Sequence, residues 1–202
     1  MSGPARLEIP FDVEVRPETG LYNSRLGIWL FLASELMFFA SLISSYVLLR
    51  SGSQDWPVAA EVLDLPRALW MTGLLVTSTV TLVHGFRALQ VERRRCFRLW
   101  AAATGLLGLG FLVLGGGEWL SLLAEGRAPS SSTFLAIWFT LTGAHWLHLA
   151  AALAVGLWLV GPGFSLSRRE PLRYLHRLEV AGLYWHFVAV VWLVLLVVVY
   201  LV

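Results

Sequence analysis

Ionisable side chains occur inside long apolar stretches of this 202-residue sequence, where a charge is costly. The clearest are Glu35, His145, His148 and His186. A helix would place His145 and His148 on one face, where together with a buried carboxylate they could ligate a metal ion or haem. Glu35 could instead hold a proton, contact a lipid or react as a neutral carboxyl, because desolvation favours its uncharged form. Hydrogen bonding between helices is the structural alternative for all four residues.

The composition indicates that lipid covers most of the surface. Hydrophobic residues make up 57% of the chain and charged residues only 14%, whereas soluble domains carry roughly 25% charged residues. The single cysteine, Cys96, can form no disulfide within the chain and has no neighbouring cysteine for a thiolate metal site, so we interpret it as a lone thiol. No secretory signal is predicted, because a polar, acidic segment precedes the first apolar run.

Five stretches are long and apolar enough to cross a bilayer as helices, since a span needs about 20 residues. They cover residues 26–49, 68–89, 99–120, 134–160 and 180–202, and all prolines fall outside them. Helices begin or end near prolines, so this placement is consistent with five uninterrupted spans. The sequence therefore predicts an all-α integral membrane bundle of five transmembrane helices in residues 26–202, preceded by an N-terminal segment of residues 1–25.

The arginines indicate how the bundle is oriented. All fifteen basic residues are arginine; twelve lie in the N-terminal segment and the second and fourth connections, and three lie in the other two connections. By the positive-inside rule, we expect a cytoplasmic N-terminus and a C-terminus outside. Anionic lipid headgroups would provide contacts for the arginine clusters. No motif or fold supports binding to nucleic acid, so we expect no such partner.

Small and polar residues recur on one face of several predicted helices, which favours close helix packing in lipid. Such faces comprise Gly73, Thr77, Thr81 and His84 on the second helix, Ala101, Gly105, Gly108 and Gly115 on the third, and Ser34, Ser41 and Ser45 on the first. We expect them to lie toward other helices of this chain or of a partner. Glu118 falls at the outer end of the third helix, near the interface, where we expect its charge to cost little.

Three segments carry a combination of motifs, residues 27–40 (GIWLFLASELMFFA), 142–148 (TGAHWLH) and 184–192 (YWHFVAVVW). Together they resemble subunit III of the cytochrome c oxidases, members of the haem–copper oxidases. Residues 74–82 (LLVTSTVTL) and the pair Glu118-Trp119 are also similar, and the resemblance extends from about Arg25 to the C-terminus. Each motif is modest alone, but three of them in this order on the predicted helices are specific.

This resemblance implies a role in aerobic respiratory electron transport without a redox centre in this chain. In the family, subunit I holds the haems and copper and pumps protons, and subunit II receives electrons from cytochrome c. Subunit III packs against subunit I, binds phospholipids and supports proton uptake. We therefore expect subunits I and II and phospholipids as partners, with cytochrome c or quinol reached only through those subunits. We expect no cofactor or metal in this chain, and the bacterial cytoplasmic membrane as its location.

The resemblance also implies roles for individual residues. Glu35 matches the buried carboxyl that carbodiimides modify in relatives, so it is the expected proton-linked or lipid site. The expected polar network or lipid contacts of the bundle comprise His84, Glu118, His145, His148, Trp185 and His186. None of these residues is expected to be catalytic.

Many relatives have seven spans. This chain lacks the first two of them. The lipid cleft that those helices border would then be open or closed by another chain. Gly115 and Ala189 stand where a glutamine and an aspartate are usual. The alternatives are the related subunit of a quinol oxidase or nitric oxide reductase, and a transporter with Glu35 as proton carrier. A further alternative is a membrane redox or metal enzyme whose ligands would be His145, His148, His186 and Glu35.

Overall fold

A computed structural model of the chain describes residues 14–17 and 19–201. Over these residues the chain is all-α without a strand, and five of its helices are long and apolar enough to cross a membrane. The prediction of an all-α membrane bundle of five helices is confirmed. Residues 1–13 of the predicted N-terminal segment, including Arg6, lie outside the described residues.

The five long helices alternate with short connections. In chain order the helices are α1 (Asn23–Gly52), the short α2 (Ala59–Val62), α3 (Leu65–Gln90), α4 (Arg94–Ala124), α5 (Thr133–Val160), the short α6 (Leu166–Arg169) and α7 (Pro171–Leu195). A 3-10 turn, Pro162–Ser165, precedes α6, and α7 continues as a π-helical turn over Leu196–Leu201. Several helices extend beyond the predicted spans at their arginine-rich ends, because polar residues can continue a helix after the apolar pattern has stopped.

Side chains in the connections explain where two long helices begin. The Asp64 carboxylate accepts a hydrogen bond from the Arg67 N–H at 3.0 Å, before the first turn of α3. The Ser132 hydroxyl accepts one from the Leu135 N–H at 3.1 Å and so caps α5. Both bonds satisfy a backbone donor that has no partner within its own helix. Pro171 opens α7, where its missing N–H costs nothing.

Helix α7 packs against α1, α3 and α5, whereas α1 lies at the edge of the bundle against α5 and α7. The buried face of α7 includes a stripe of Trp185, Val188, Trp192 and Leu195. In α1 the buried side chains are Leu32, Phe39 and Tyr46, each seven residues from the next. This spacing places them on one narrow face, and most of the remaining surface of α1 is exposed.

A glycine brings α4 close to α7. A Cβ added at Gly108 would lie 2.8 Å from Cη2 of Trp185, a distance that real Cβ contacts do not show. Gly108 and Gly115 are buried, so these two positions of the predicted glycine face of α4 lie toward other helices of this chain, as expected. Small residues permit this kind of approach between helices.

The predicted small-residue faces of α1 and α3 lie mostly outside the packed interior. Ser34 and Ser41 are exposed, and their hydroxyls donate to carbonyls of their own helix. In α3, Gly73 is exposed whereas Thr81 is buried and lies 2.8 Å from the Thr104 hydroxyl of α4. On these two faces, Thr81 and His84 contact α4, the latter with its ring centroid 5.1 Å from that of Trp100, whereas Gly73, Thr77, Ser34, Ser41 and Ser45 are exposed.

Replacing Gly108 by alanine tests the approach of α4 to α7. We expect Gly108→Ala to lower the free energy of unfolding by about 1–3 kcal/mol, because the added methyl overpacks against Trp185. The matched change Gly105→Ala, where nothing lies within 4 Å of an added Cβ, should not destabilise the chain. Thermal unfolding in detergent, followed by tryptophan fluorescence, measures both, and equal midpoints for the two variants would contradict the packing.

Candidate functional site

Two ionisable side chains from the middle of α1 and α5 contact each other. Glu35 Oε2 lies 2.8 Å from His148 Nε2, and the two side chains are only 19% and 18% exposed. Glu35 shares the face of α1 that carries Leu32 and Phe39, because residues three or four apart lie on one side of a helix. The sequence indicated both residues separately, and the structure brings them together.

The hydrogen bonds of His148 indicate how the pair carries its protons. Nδ1 lies 2.7 Å from the carbonyl oxygen of Ala144. A carbonyl can only accept, so we assign a proton to Nδ1. The contact between Nε2 and the Glu35 carboxyl then contains one further proton. Whether that proton resides on the imidazole or on the carboxyl, the pair is neutral overall, and this lowers the cost of burying Glu35 within a span.

Aromatic rings enclose the pair and connect it to α7. The ring of Phe39 lies edge-on to His148 with centroids 4.9 Å apart, and the ring of Phe38 lies at 6.0 Å. Tyr184 of α7 donates its O–H to the backbone carbonyl of His148 at 3.3 Å. Helices α1, α5 and α7 therefore meet at this point, which we call the membrane carboxyl site (Glu35, Phe38, Phe39, His148 and Tyr184).

His145 makes a different contact from His148. Its side chain is buried at the centre of the bundle, and its Nε2 lies 3.0 Å from the carbonyl oxygen of Val188 in α7. The rings of Phe111 and Trp192 lie beside it, with centroids 5.4 Å and 5.3 Å away. The two histidines of α5 thus serve two separate contacts with neighbouring helices.

His84 and His186 lie on the outside of the chain. Nδ1 of His84 is 2.8 Å from the carbonyl oxygen of Val80, and Nδ1 of His186 is 2.6 Å from that of Gly182, so each ring bonds to its own helix. Over the part of the chain that the structure describes, no three His, Cys, Asp or Glu side chains come close enough to hold one metal ion. The ligand set considered for a metal or haem enzyme is therefore not brought together.

Glu118 is buried inside the protein. The expectation that its charge would cost little, because it lies near the membrane interface, is therefore wrong. Its Oε2 accepts a hydrogen bond from the Tyr200 O–H at 3.2 Å, and its Oε1 accepts one from the Asp64 N–H at 3.3 Å. The Trp138 indole N–H donates to the Tyr200 oxygen at 3.3 Å. The connection before α3 and the π-helical turn after α7 both fold against this part of α4, which a hydropathy pattern cannot show.

Trp185 joins α7 to α3. Its indole N–H donates to the Ser78 hydroxyl at 3.1 Å, and both side chains are buried. A second indole, that of Trp192, donates to the Thr72 hydroxyl at 2.9 Å and joins the same two helices. Sequence reasoning identified Trp185 but missed Ser78 and Thr72, which look like ordinary helix residues until the partner helix is known.

A cluster of Tyr22, Arg25, His176 and Glu179 connects the start of α1 to the start of α7. The Tyr22 O–H donates to Glu179 Oε2 at 2.6 Å, and Arg25 Nη1 lies 3.4 Å from Glu179 Oε1. The rings of Tyr22 and His176 are stacked with centroids 3.7 Å apart. Burial, and then the Glu179 carboxylate, raise the pKa of Tyr22 above its usual range. The sequence analysis missed Tyr22 and His176, whose only signal was their position beside two spans.

The fold and these contacts define a class of protein: an all-α membrane bundle whose buried polar side chains bond between helices. The sequence pattern of the family described as cytochrome c oxidase subunit III matches residues 18–202. This chain therefore belongs to the cytochrome c oxidase subunit III family, and the resemblance indicated by its motifs is confirmed.

Individual relatives cover most of the chain. Cytochrome c oxidase subunit 3 of Bacillus sp. (strain PS3) is 36% identical over 89% of this chain and 86% of the relative. Cytochrome bo(3) ubiquinol oxidase subunit 3 of Pseudomonas aeruginosa is 34% identical over 89% of this chain and 85% of the relative. Cytochrome c oxidase subunit 3 of Corynebacterium diphtheriae is 38% identical over 87% of this chain and 86% of the relative.

Substitutions of Glu35 test the membrane carboxyl site. We expect Glu35→Leu to lower the free energy of unfolding by about 1–3 kcal/mol, because it leaves His148 Nε2 unpaired. Glu35→Gln should cost less, since the amide keeps a donor and an acceptor. The double variant Glu35→Leu/His148→Leu should recover part of the loss, because neither partner is left unpaired. Thermal unfolding in detergent measures all three, and additive losses in the double variant would show that the two side chains are not coupled.

The buried environment of Glu118 gives a second prediction. We expect Glu118→Leu to lower the free energy of unfolding by about 1–3 kcal/mol, because it removes the acceptor of the Tyr200 O–H and the Asp64 N–H. The control is Glu125→Leu, which removes a carboxylate whose side chain is 57% exposed and should change stability by less than about 0.5 kcal/mol. Urea unfolding in mixed micelles compares them. Equal losses would place Glu118 in an environment no different from the surface.

Proposed function

We propose that this chain is subunit III of a bacterial haem–copper terminal oxidase, in which it stabilises subunit I and binds phospholipids. The observation that carries the proposal is the family match over residues 18–202. Relatives named as subunits of cytochrome c oxidases and of quinol oxidases are both similar to this chain. In the proposal subunits I and II are its protein partners, and electrons from cytochrome c or quinol reach the oxidase only through them.

The proposed subunit contains no haem, copper or other redox centre of its own, and its partners hold the haems and copper. The separation of the histidines supports this part of the proposal. His145 bonds to a backbone carbonyl of α7, His148 bonds to Glu35, and His186 is exposed on another surface. A redox cofactor held by these side chains would require them to leave their present partners.

The proposed location is the cytoplasmic membrane, with the N-terminus in the cytoplasm and the C-terminus outside. The contacts of Tyr22 with His176 and Glu179 support placing the N-terminus and the fourth connection on the same side of the membrane. Asp64, at the start of α3, and Tyr200, near the C-terminus, both bond to Glu118 and belong to the opposite end. The arginine-rich segments coincide with the first of these ends, which the positive-inside rule assigns to the cytoplasm.

In this proposal the membrane carboxyl site is a proton-linked or lipid-contacting site that also holds α1 against α5 and α7. Glu118, His145 and Trp185 belong to the internal polar network, because each bonds to another segment of the chain. His84 and His186 are exposed and form hydrogen bonds with carbonyls of their own helices, so we assign them to contacts with lipid or a partner subunit.

Purification of a tagged chain from its native membrane in mild detergent tests the proposal. We expect haem, detected in a reduced-minus-oxidised spectrum, and a larger multi-span protein to co-elute, and the haem to remain with that protein when the tagged chain is stripped away. Oxygen consumption with reduced cytochrome c and with quinol then identifies the electron donor. Haem that stays with the isolated chain would overturn the proposal and favour a redox enzyme.

A variant adds a comparison within the same experiment. We expect His148→Leu to reduce the haem recovered per tagged chain several-fold, because Glu35 loses its partner and α1 loses one of its two polar contacts with the rest of the bundle. Glu125→Gln, a change on the surface, should recover the same amount as the unchanged chain. Full recovery of haem with the histidine variant would mean that the membrane carboxyl site has no role in assembly.

A further inference from the structure

A small apolar pocket lies between α3, α4 and α7, toward the arginine-rich end of the chain. Its volume is about 200 Å³, and its lining consists of leucine, valine, alanine and phenylalanine side chains, two glycines, Glu179 and His186. Sites for drug-sized ligands have volumes of roughly 300–1,000 Å³. This pocket is therefore suited to a single ring rather than to a whole lipid molecule, and the tail of such a ligand would extend into the membrane.

The two glycines differ in what surrounds them. A Cβ added at Gly85 would lie 3.2 Å from Cβ of Trp100, because α3 approaches α4 closely there. A Cβ added at Gly182 would lie 3.9 Å from Cδ2 of Leu82 and would meet no other atom within 4 Å. Space for a ligand therefore remains beside Gly182, between α3 and α7.

One nitrogen of His186 is available at this pocket. Nδ1 lies 2.6 Å from the carbonyl oxygen of Gly182. A carbonyl can only accept, so we assign a proton to Nδ1, and in the neutral ring Nε2 is then a hydrogen-bond acceptor. Among residues 14–17 and 19–201 no group donates to this Nε2. The ring is exposed, and hydrocarbon has no donor to offer, so an O–H group of a ligand would satisfy it.

Glu179 provides a second acceptor, two turns before His186 on α7 and about 10 Å away along the helix axis. Its oxygens contact the Tyr22 O–H and the Arg25 guanidinium. A carboxylate has about four lone-pair sites, so Glu179 can accept a further hydrogen bond. No arginine is among the residues that line the pocket. The pocket thus combines an acceptor at each end with apolar walls between them.

We propose that this pocket binds the headgroup of an isoprenoid quinol. A quinol is a largely apolar ring with O–H donors at opposite ends, which matches the acceptors Glu179 and His186. An acyl chain has no donor, and the phosphate of a phospholipid would be repelled by the Glu179 carboxylate. The corresponding quinone has lost both O–H groups, so the pocket favours the reduced form. The quinol is bound here and not oxidised, so no electron passes through this chain.

Binding to this pocket needs a membrane but no partner subunit, so it is tested on the isolated full chain. The chain in nanodiscs of phosphatidylcholine is incubated with decylubiquinol under argon, and the quinol that stays with the discs is extracted and measured by chromatography. Empty discs give the amount that dissolves in the lipid. Decylubiquinone is the matched ligand, because it has the same ring without O–H donors.

Two histidine variants form a matched pair for this measurement. His186→Phe removes the acceptor at the pocket. His84→Phe is the control, because His84 is also exposed and bonded to a carbonyl of its own helix but does not line the pocket. Gly182→Leu keeps both acceptors and fills the space beside Leu82.

We expect saturable binding of decylubiquinol above the empty-disc background, and weaker binding of decylubiquinone. His186→Phe should weaken quinol binding about tenfold through the loss of one hydrogen bond, whereas His84→Phe should keep the affinity of the unchanged chain. Gly182→Leu should weaken binding as well. Since His186 is exposed, its replacement leaves the packing intact, and the histidine comparison stands even where Gly182→Leu fails to fold. Equal binding of quinol and quinone, or equal affinities of the two histidine variants, would overturn the proposal.

Discussion

Hydrocarbon offers no hydrogen-bond partner, and this constraint governs how the five long helices associate. Apolar contact alone specifies little, because lipid tails can replace a leucine or valine side chain at equal cost. An unpaired polar group has no such substitute. The bonds from Trp185 to Ser78, from Trp192 to Thr72 and between Glu35 and His148 therefore restrict which helices meet and in which register. The first two hold α7 to α3, and the third holds α1 to α5.

Helix α1 shows the effect of these polar bonds, because it buries few apolar side chains against the other helices. It lies at the edge of the bundle, and its buried side chains are confined to one narrow face. Polar contacts hold it at two levels: Tyr22 and Arg25 bind Glu179 at its start, and Glu35 binds His148 near its middle. The broad outer face of α1 is thereby left free for lipid or a partner subunit without loss of its position in the chain.

Apolar runs predicted the five spans, since a stretch of about 20 residues with so few charges is typical of a transmembrane helix. The same reasoning found Glu35, because a carboxyl within such a run is conspicuous. It could not find the partner, because His148 lies 113 residues away and nothing in either helix specifies the other. It misjudged Glu118 for a related reason: depth along a helix is readable from sequence, but coverage by Asp64 and Tyr200 depends on the folding of other segments.

Three buried or half-buried glutamates illustrate how partners determine what a carboxyl can do. Glu179 has the Arg25 guanidinium and the Tyr22 hydroxyl beside it. Glu118 accepts hydrogen bonds from a hydroxyl and a backbone amide, neither of which readily gives up its proton. Glu35 is paired with an imidazole, so a proton can pass between the two groups while the pair keeps the same net charge. Among these three residues the partner chemistry is thus consistent with the proton-linked role that we propose for Glu35, whereas Glu118 and Glu179 have partners suited to holding segments together.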